Sequence, residues 1–415
     1  MFRASSLPPH LGGFTRSTAG HSSVLRALHI SIVAVSVLTL VPLENGIAQA
    51  GPWRFVVEQA SVVDGEVEEL SQINSIQVAP DGGVTFSQLT VPSVLWYSAA
   101  GKRVRAIGRE GSGPGEFRWV TRHGWMGDTL WVIDNRLRRS SFLLAGQTLL
   151  RDVLWPRSLT RQGGQPLAGV QSPIPQIHLG DGTQILSVSY LPDTPPPEGF
   201  APGSRYALVR ADSSGRIQNV VASVGRPADD ACRIRWRSGQ SMGLIPVPHC
   251  PMTQVGLSPS GNWIAIAEQG GDLPAGHLRL MLRNSHGQLV STRKLTRPVE
   301  SISRDLAAAA VAALSRSLPD PPPTEALEAI RQMEVPTHYP PADRILVDDD
   351  GTIWIEYIRT GGDRRWAAVN ALRSDLAHPV TLPQGYTLAA VRGAYSWGLH
   401  INDDGVPTLA RLRRQ

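Results

Sequence analysis

The stretch GREGSGPGEFRWV, Gly108 to Val120, places glycine at 108, 111, 113 and 115 around Pro114, between two apolar, strand-like runs. Glycine adopts positive φ without steric cost and proline fixes its own φ, so the segment encodes sharp chain reversals. Glu116 can accept backbone N–H groups that such a turn leaves open, and Phe117 can anchor the loop in apolar surroundings. A phosphate-cradling loop would need a following Lys-Ser/Thr and a helix; neither is present, and the next residues read as strand. The turn is structural.

Outward from it, turn-then-strand units recur: PDGGVTFSQL from Pro80, MGDTLWVIDN from Met126, GDGTQILSVSY from Gly180, PSGNWIAIAEQ from Pro259, DDGTIWIEYI from Asp349, and a weaker RGAYSWGLHI from Arg392. Each joins a glycine turn to β-branched and aromatic residues, the mark of tight turns between antiparallel strands. A further strand and turn follow, with Gly101, Gly146, Gly215 and Gly287 between apolar runs of comparable length. The sixth unit has only PTLARLRRQ before the chain stops, while WRFVVEQASVV, Trp53 to Val63, has no partner in its own unit. A four-stranded unit repeated six times cannot bury its faces alone. The expectation is an all-β six-bladed β-propeller of four-stranded antiparallel blades, residues 51–415, closed by the N-terminal strand.

GREGSGPGEFRWV followed by GDTLWVIDNRLRRSSFL resembles the NHL repeat, and the chain as a whole is similar to secreted bacterial six-bladed propellers of the NHL-like group. The specific motif covers Gly108 to Leu143; DDGTIWIEYI, RRWAAVNALRSDL and VTLPQGY look like that group's C-terminal blades. The resemblance implies the propeller fold and assigns no reaction.

One segment, about 301–335, breaks the β pattern. SRDLAAAAVAALSRSL and TEALEAIRQM read as two short helices, with Leu306, Ala310, Leu314 and Leu318 on one face and Leu327, Ile330 and Met333 on the other's, interrupted at Asp320 to Pro323. It is expected to cover one face of the propeller.

At the N-terminus, Arg26 precedes an uncharged apolar run from Ala27 to Val41, then Pro42 and an A-x-A ending at Ala50. This is the pattern of a signal peptide, residues 1–50, cleaved after Ala50, and it implies a periplasmic or secreted protein with no integral membrane segment after cleavage. In an oxidising compartment Cys232 and Cys250 are expected to pair as a disulfide; a half metal site with His249 lacks zinc spacing. With a net charge of +5 spread along the chain and no run of arginine interleaved with aromatics, a nucleic-acid groove is excluded.

No HExxH, GxSxG, phosphate-loop or calcium-loop motif is present. The expectation is a monomeric binding or interaction module for a protein or for a small anionic or carbohydrate ligand, without a cofactor and without an assignable reaction. Loops bordering a propeller channel offer Arg122, His123, Asp134 and Arg136 for a ligand; guanidinium suits a carboxylate. Asn74 and His178 also sit at entries to first strands. The alternative is a metal-dependent lyase or lactonase-like hydrolase holding Ca or Zn through Glu268, Glu356 and His400.

Overall fold

The computed structural model describes residues 51–415 apart from 162, 171–172, 190–198, 202–203, 205, 226, 240, 319–321 and 374–376. The expected leader and part of the Asp320 to Pro323 break lie outside the described residues. No helix among the described residues is long and apolar enough to cross a membrane.

The chain opens with β1 (Trp53–Val63). A first antiparallel sheet runs β2 (Ile73–Val78), β3 (Val84–Gln88), β4 (Val94–Tyr97), β5 (Arg103–Ile107), and a second β6 (Val120–Met126), β7 (Thr129–Asp134), β8 (Arg139–Leu144), β9 (Thr148–Leu154). A third comprises β10 (Ile174–His178), β11 (Gln184–Ser189), β12 (Tyr206–Ala211) and β13 (Ile217–Val224). A short helix α1 (Pro227–Asp230) then leads into a two-stranded ribbon, β14 (Arg233–Ser238) and β15 (Ser241–Pro246). The fourth sheet is β16 (Gln254–Leu257), β17 (Trp263–Gln269), β18 (His277–Asn284) and β19 (Leu289–Thr296). Helices α2 (Arg304–Ser317) and α3 (Thr324–Arg331) follow. Last come β20 (Arg344–Val347), β21 (Thr352–Ile358), β22 (Arg364–Asn370), β23 (Ala377–Thr381), β24 (Tyr386–Arg392), β25 (Tyr395–Ile401) and β26 (Pro407–Arg414).

These last strands and β1 form one eight-stranded sheet, in the order β20-β21-β22-β23-β1-β26-β25-β24. The molecule is an all-β propeller with few helices. It differs from the six separate four-stranded blades expected: four such sheets stand alone, and the remainder is continuous. The reason is β1. It pairs antiparallel with β26 from Phe55↔Arg414 to Val63↔Leu409, closing the ring as expected, but its first two residues also pair in parallel with β23, Trp53↔Val380 and Arg54↔Thr381.

Strand composition follows position. β3 and β7 are buried along almost their whole length because a neighbouring sheet covers each face; β7 reads as a continuous apolar run, whereas β3, VTFSQ, alternates and buries Thr85, Ser87 and Gln88. The fourth strands β9 and β19 carry mostly exposed or half-buried side chains. The apolar clusters span neighbouring sheets: Val94 and Ile107 meet Val120 and Leu130, Trp131 and Phe142 meet Ile177 and Leu208, Leu278 and Leu280 meet Ile345 and Ile353, and Phe86 meets Trp397. Each sheet thus buries its faces against the next.

The Gly108 to Val120 turn is held by its own side chains and by two residues of the sheet behind it. Gly108 has φ 80°, and a Cβ there would lie 2.2 Å from the Phe117 ring, which is fully buried. Gly113, expected at positive φ, is not; its N–H donates to Glu116 Oε2 at 2.8 Å. That bond, and the Arg109 guanidinium, hold the Glu116 carboxyl below its usual range. Arg139, 8% exposed, donates to the carbonyls of Ser112 (3.1 Å), Gly113 (2.6 Å) and Glu116. Asp134 Oδ2 takes the Arg118 N–H at 2.6 Å, and its Oδ1 takes those of Arg136 and Leu137 at 2.9 Å each.

The two expected helices are present and pack on the ribbon. Ala326 and Ile330 of α3, with Val311 and Leu314 of α2 and Leu318 beyond it, pack on Trp236 and Ile245 of the ribbon. Ser303 caps α2 by accepting the Leu306 N–H. Cys232 and Cys250 are bonded across the base of this ribbon, with Cα atoms 5.4 Å apart.

Arg139→Ala removes the shared donor of the Ser112, Gly113 and Glu116 carbonyls and the ion pair with Asp152 at 3.5 Å, and is expected to cost about 1–3 kcal/mol in a denaturant melt. Arg139→Lys should not restore it, since one ammonium cannot reproduce the planar fork. Reduction of the Cys232–Cys250 bond is expected to lower stability by about 3 kcal/mol on the chain-entropy model; an unchanged melt with two titrated thiols contradicts this.

Candidate binding site in the central channel

The first strands of the sheets touch around an axis: β2 meets β6 and β24, β6 meets β10, and β20 meets β16 and β24. β10 and β16 are less closely packed, and a cavity of about 410 Å³ opens at that seam. Gly256 sets one wall. A Cβ there would lie 2.7 Å from Val347, so the glycine lets β16 lie tight on β20 while Val255 and Leu257 beside it line the cavity.

Arg122 is the one charged side chain among the described residues lining this cavity. A register shift in β6 between Val120 and Arg122 re-aims the strand, as a bulge does, and leaves Arg122 in the channel with His123 buried behind it. Two residues on, Gly124 leaves room for the Trp131 indole, whose Cζ2 would lie 2.4 Å from a Cβ at that position. Channel water reaches Arg122, yet the surrounding protein desolvates it and lowers its pKa from the usual arginine range. Among the described residues it has no hydrogen-bond or ion-pair partner. Gln77 likewise has no side-chain partner there, whereas the Gln176 amide donates to Ser187 Oγ at 3.2 Å and keeps its carbonyl oxygen open. One cation and two carboxamides therefore face a cavity whose other polar lining is Ser187, Tyr206 and Ser258 and whose remaining wall is largely apolar, Leu208 and Val255 among it.

The other expected ligand residues do not join it. His123 is fully buried between sheets, with Nε2 3.1 Å from Thr85 Oγ1, and burial pushes its pKa down to about 4. Asp134 is fully buried in the turn contacts above, and Arg136 is exposed without lining the cavity. Asn74 ties β2 to the next sheet through the Val120 carbonyl at 2.8 Å. His178 lies edge-on against Trp131 and Phe142, and burial, with Arg151 adding to it, pushes it down to about 3.

Glu268, Glu356 and His400 are not brought together. Glu268 pairs with Arg279 at 3.0 Å. Glu356, 2% exposed, is held by Arg344 at 3.1 Å, Arg364 at 3.3 Å and Thr387 at 2.8 Å. His400 contacts the Gly385 carbonyl at 2.9 Å. Among the described residues, no three His, Cys, Asp or Glu side chains are grouped to hold a metal ion.

No protein-family model matches the chain, and no curated protein matches it. Similar solved structures include a member of the DUF4221 family from Bacteroides vulgatus, with TM-score 0.49, 11% identity, 88% of this chain and 99% of that chain covered. A protein described as exported, from Bacteroides fragilis, has TM-score 0.44 and 11% identity over 88% of this chain and 95% of that one. A gluconolactonase from Xanthomonas campestris has TM-score 0.39 and 12% identity over 89% and 97%. Likeness at this level says nothing about ligand or chemistry.

His123 and His178 are held neutral in the folded chain but titrate near 6.5 when unfolded, so the unfolded state binds more protons below that pH. Stability is fully present above pH about 6.5 and falls as pH drops toward 4. His178→Phe, which keeps the aromatic contacts and removes a titrating group, is expected to flatten the fall in melting temperature between pH 7 and 4.5. An equally steep fall in the variant rejects the assignment.

Proposed function

We propose that the chain is an exported, NHL-like propeller, with the eight-stranded sheet counting as its fifth and sixth blades, and that it binds a small carboxylate in the channel without turning it over. Support for the blade count comes from the parallel β1–β23 contact, which is only two residue pairs long and joins two otherwise complete antiparallel groups of four. The Cys232–Cys250 bond is in keeping with an oxidising compartment.

The observation that carries the binding reading is Arg122. Its guanidinium is open to the channel, has no anionic partner among the described residues, and presents a planar fork that suits a carboxylate bidentately. Gln77 and Gln176 can complete the polar end, and Val255, Leu257 and Leu346 can take an apolar body. No acid or histidine among the lining residues stands ready as a general base, which favours binding over catalysis.

Calorimetric titration with a panel of C4 to C8 monocarboxylates should find at least one ligand, and Arg122→Gln should weaken it by about 1.5–3 kcal/mol, tenfold or more in Kd. Equal affinity in the variant overturns the reading, as does an empty panel.

A further inference from the structure

A second pocket, of about 340 Å³, opens where β1 closes the ring, lined by Phe55 of β1, Trp354 of β21, Ser396 of β25, Arg413 and Arg414 of β26, and the Asp348 to Thr352 turn. Its charges are unusual. Asp348, 4% exposed, takes the Gly393 N–H at 2.8 Å and the Asp349 N–H at 2.7 Å on Oδ1, and its Oδ2 has no partner. Among the described residues no cation pairs with it, although two arginines line the same pocket. Arg413 is drawn toward Glu58 at 3.8 Å, and the Arg414 guanidinium lies 4.4 Å over the Trp53 ring. Asp350, exposed and also at the pocket, accepts the Thr352 N–H on Oδ1 at 2.9 Å and the Asn370 Nδ2 amide on Oδ2 at 3.3 Å.

A second observation is independent of the acids. Ser396 is only 6% exposed as a residue and lines the pocket, and its hydroxyl, which opens to the pocket, makes no hydrogen bond with any described residue. Buried hydroxyls ordinarily find a partner, so one left open toward a cavity points to something that enters it. Opposite Ser396 in the ladder stands Leu412, and Phe55 faces Arg414, so the hydroxyl, the arginines and the aromatic wall lie along one stretch of paired strands.

We propose that this pocket binds a free apolar α-amino acid as its zwitterion, the ammonium on Asp348 and Asp350 with Ser396 beside it, the carboxylate on Arg414, which shares the face of Phe55 and Ser396, and the side chain against Phe55 and Trp354. Opposite charges that share a pocket without pairing match a ligand bearing both, because each end then gains a charge-assisted hydrogen bond. Burial lifts Asp348 to about 6, with Asp350 and Asp349 adding to the rise and the two N–H donors opposing it; a bound ammonium reverses that cost. The cavity has room for one amino acid.

The test is calorimetry at pH 7.5 on residues 51–415 with L-leucine, L-methionine and L-phenylalanine, and with the half-charged analogues phenylalaninamide and 3-phenylpropionate. At least one amino acid should bind, and removal of either charge should weaken the aromatic one at least tenfold. Asp348→Asn keeps the carbonyl that caps the turn, so it should fold, melt at or above the wild-type temperature, and lose binding. Ser396→Ala should weaken binding severalfold and serves if the first variant fails to fold. Arg122→Gln, which lies in the channel, should leave this affinity unchanged, so failure of one site is distinguishable from failure of the other. No binding by any of the three amino acids, equal affinity for 3-phenylpropionate, or undiminished binding in a folded Asp348→Asn or Ser396→Ala overturns the proposal.

Discussion

The ladder between β1 and β26 is the contact on which the rest of the molecule depends. Each sheet is stable because its faces are covered by the sheets beside it, and that arrangement has no natural end except closure. β1 supplies the outer strand that β24, β25 and β26 lack, and Phe55 joins Trp354, Trp366 and Leu412 in one apolar cluster across the junction. The channel exists because the first strands are held around an axis, and the second pocket exists because the closing strand lies where the ring's ends meet. Both candidate sites therefore follow from the same constraint.

Much of this architecture was legible from residue order. The six turn-then-strand segments are β3, β7, β11, β17, β21 and β25, recognisable because second strands are buried on both faces and so mostly read as apolar runs after a glycine turn. The lone N-terminal strand announced closure. What stayed hidden has physical reasons. The ribbon's first strand, RIRWRS, alternates as a half-buried strand does but stands outside the repeated turn-then-strand units, with Trp236 half-buried beside Ile245 of its partner strand against α3. The parallel contact of Trp53 and Arg54 with β23 is a matter of geometry at a junction, without a residue signature.

The sites were harder to read because strand parity decides which side chains face the axis, and bulges reset that parity. Shifts between Ile73 and Ser75, Pro175 and Ile177, and Val120 and Arg122 place Gln77, Gln176 and Arg122 in the cavity, whereas Asn74 and His178 serve the spaces between sheets. Charge was a poor guide for a related reason. Most acids that looked available, Glu268 and Glu356 among them, are neutralised by arginines of their own or a neighbouring strand. The informative charges are those left without a protein partner, Arg122 in the channel and Asp348 at the junction, and nothing in a linear pattern distinguishes them from the rest.

The closing strand also orders events in time. Gln415 donates its N–H to the Arg54 carbonyl at 2.9 Å, so β1 cannot complete its pairing until β26 has been made. The four separate sheets can form as their own strands appear, but the ring stays open until β26 is present, because its closing contacts join residues far apart in sequence. Because the start of β1 lies beside the end of β26, a short linker could join those two strand ends and new ends could be cut at an exposed turn elsewhere, which would turn this long-range closure into a local hairpin.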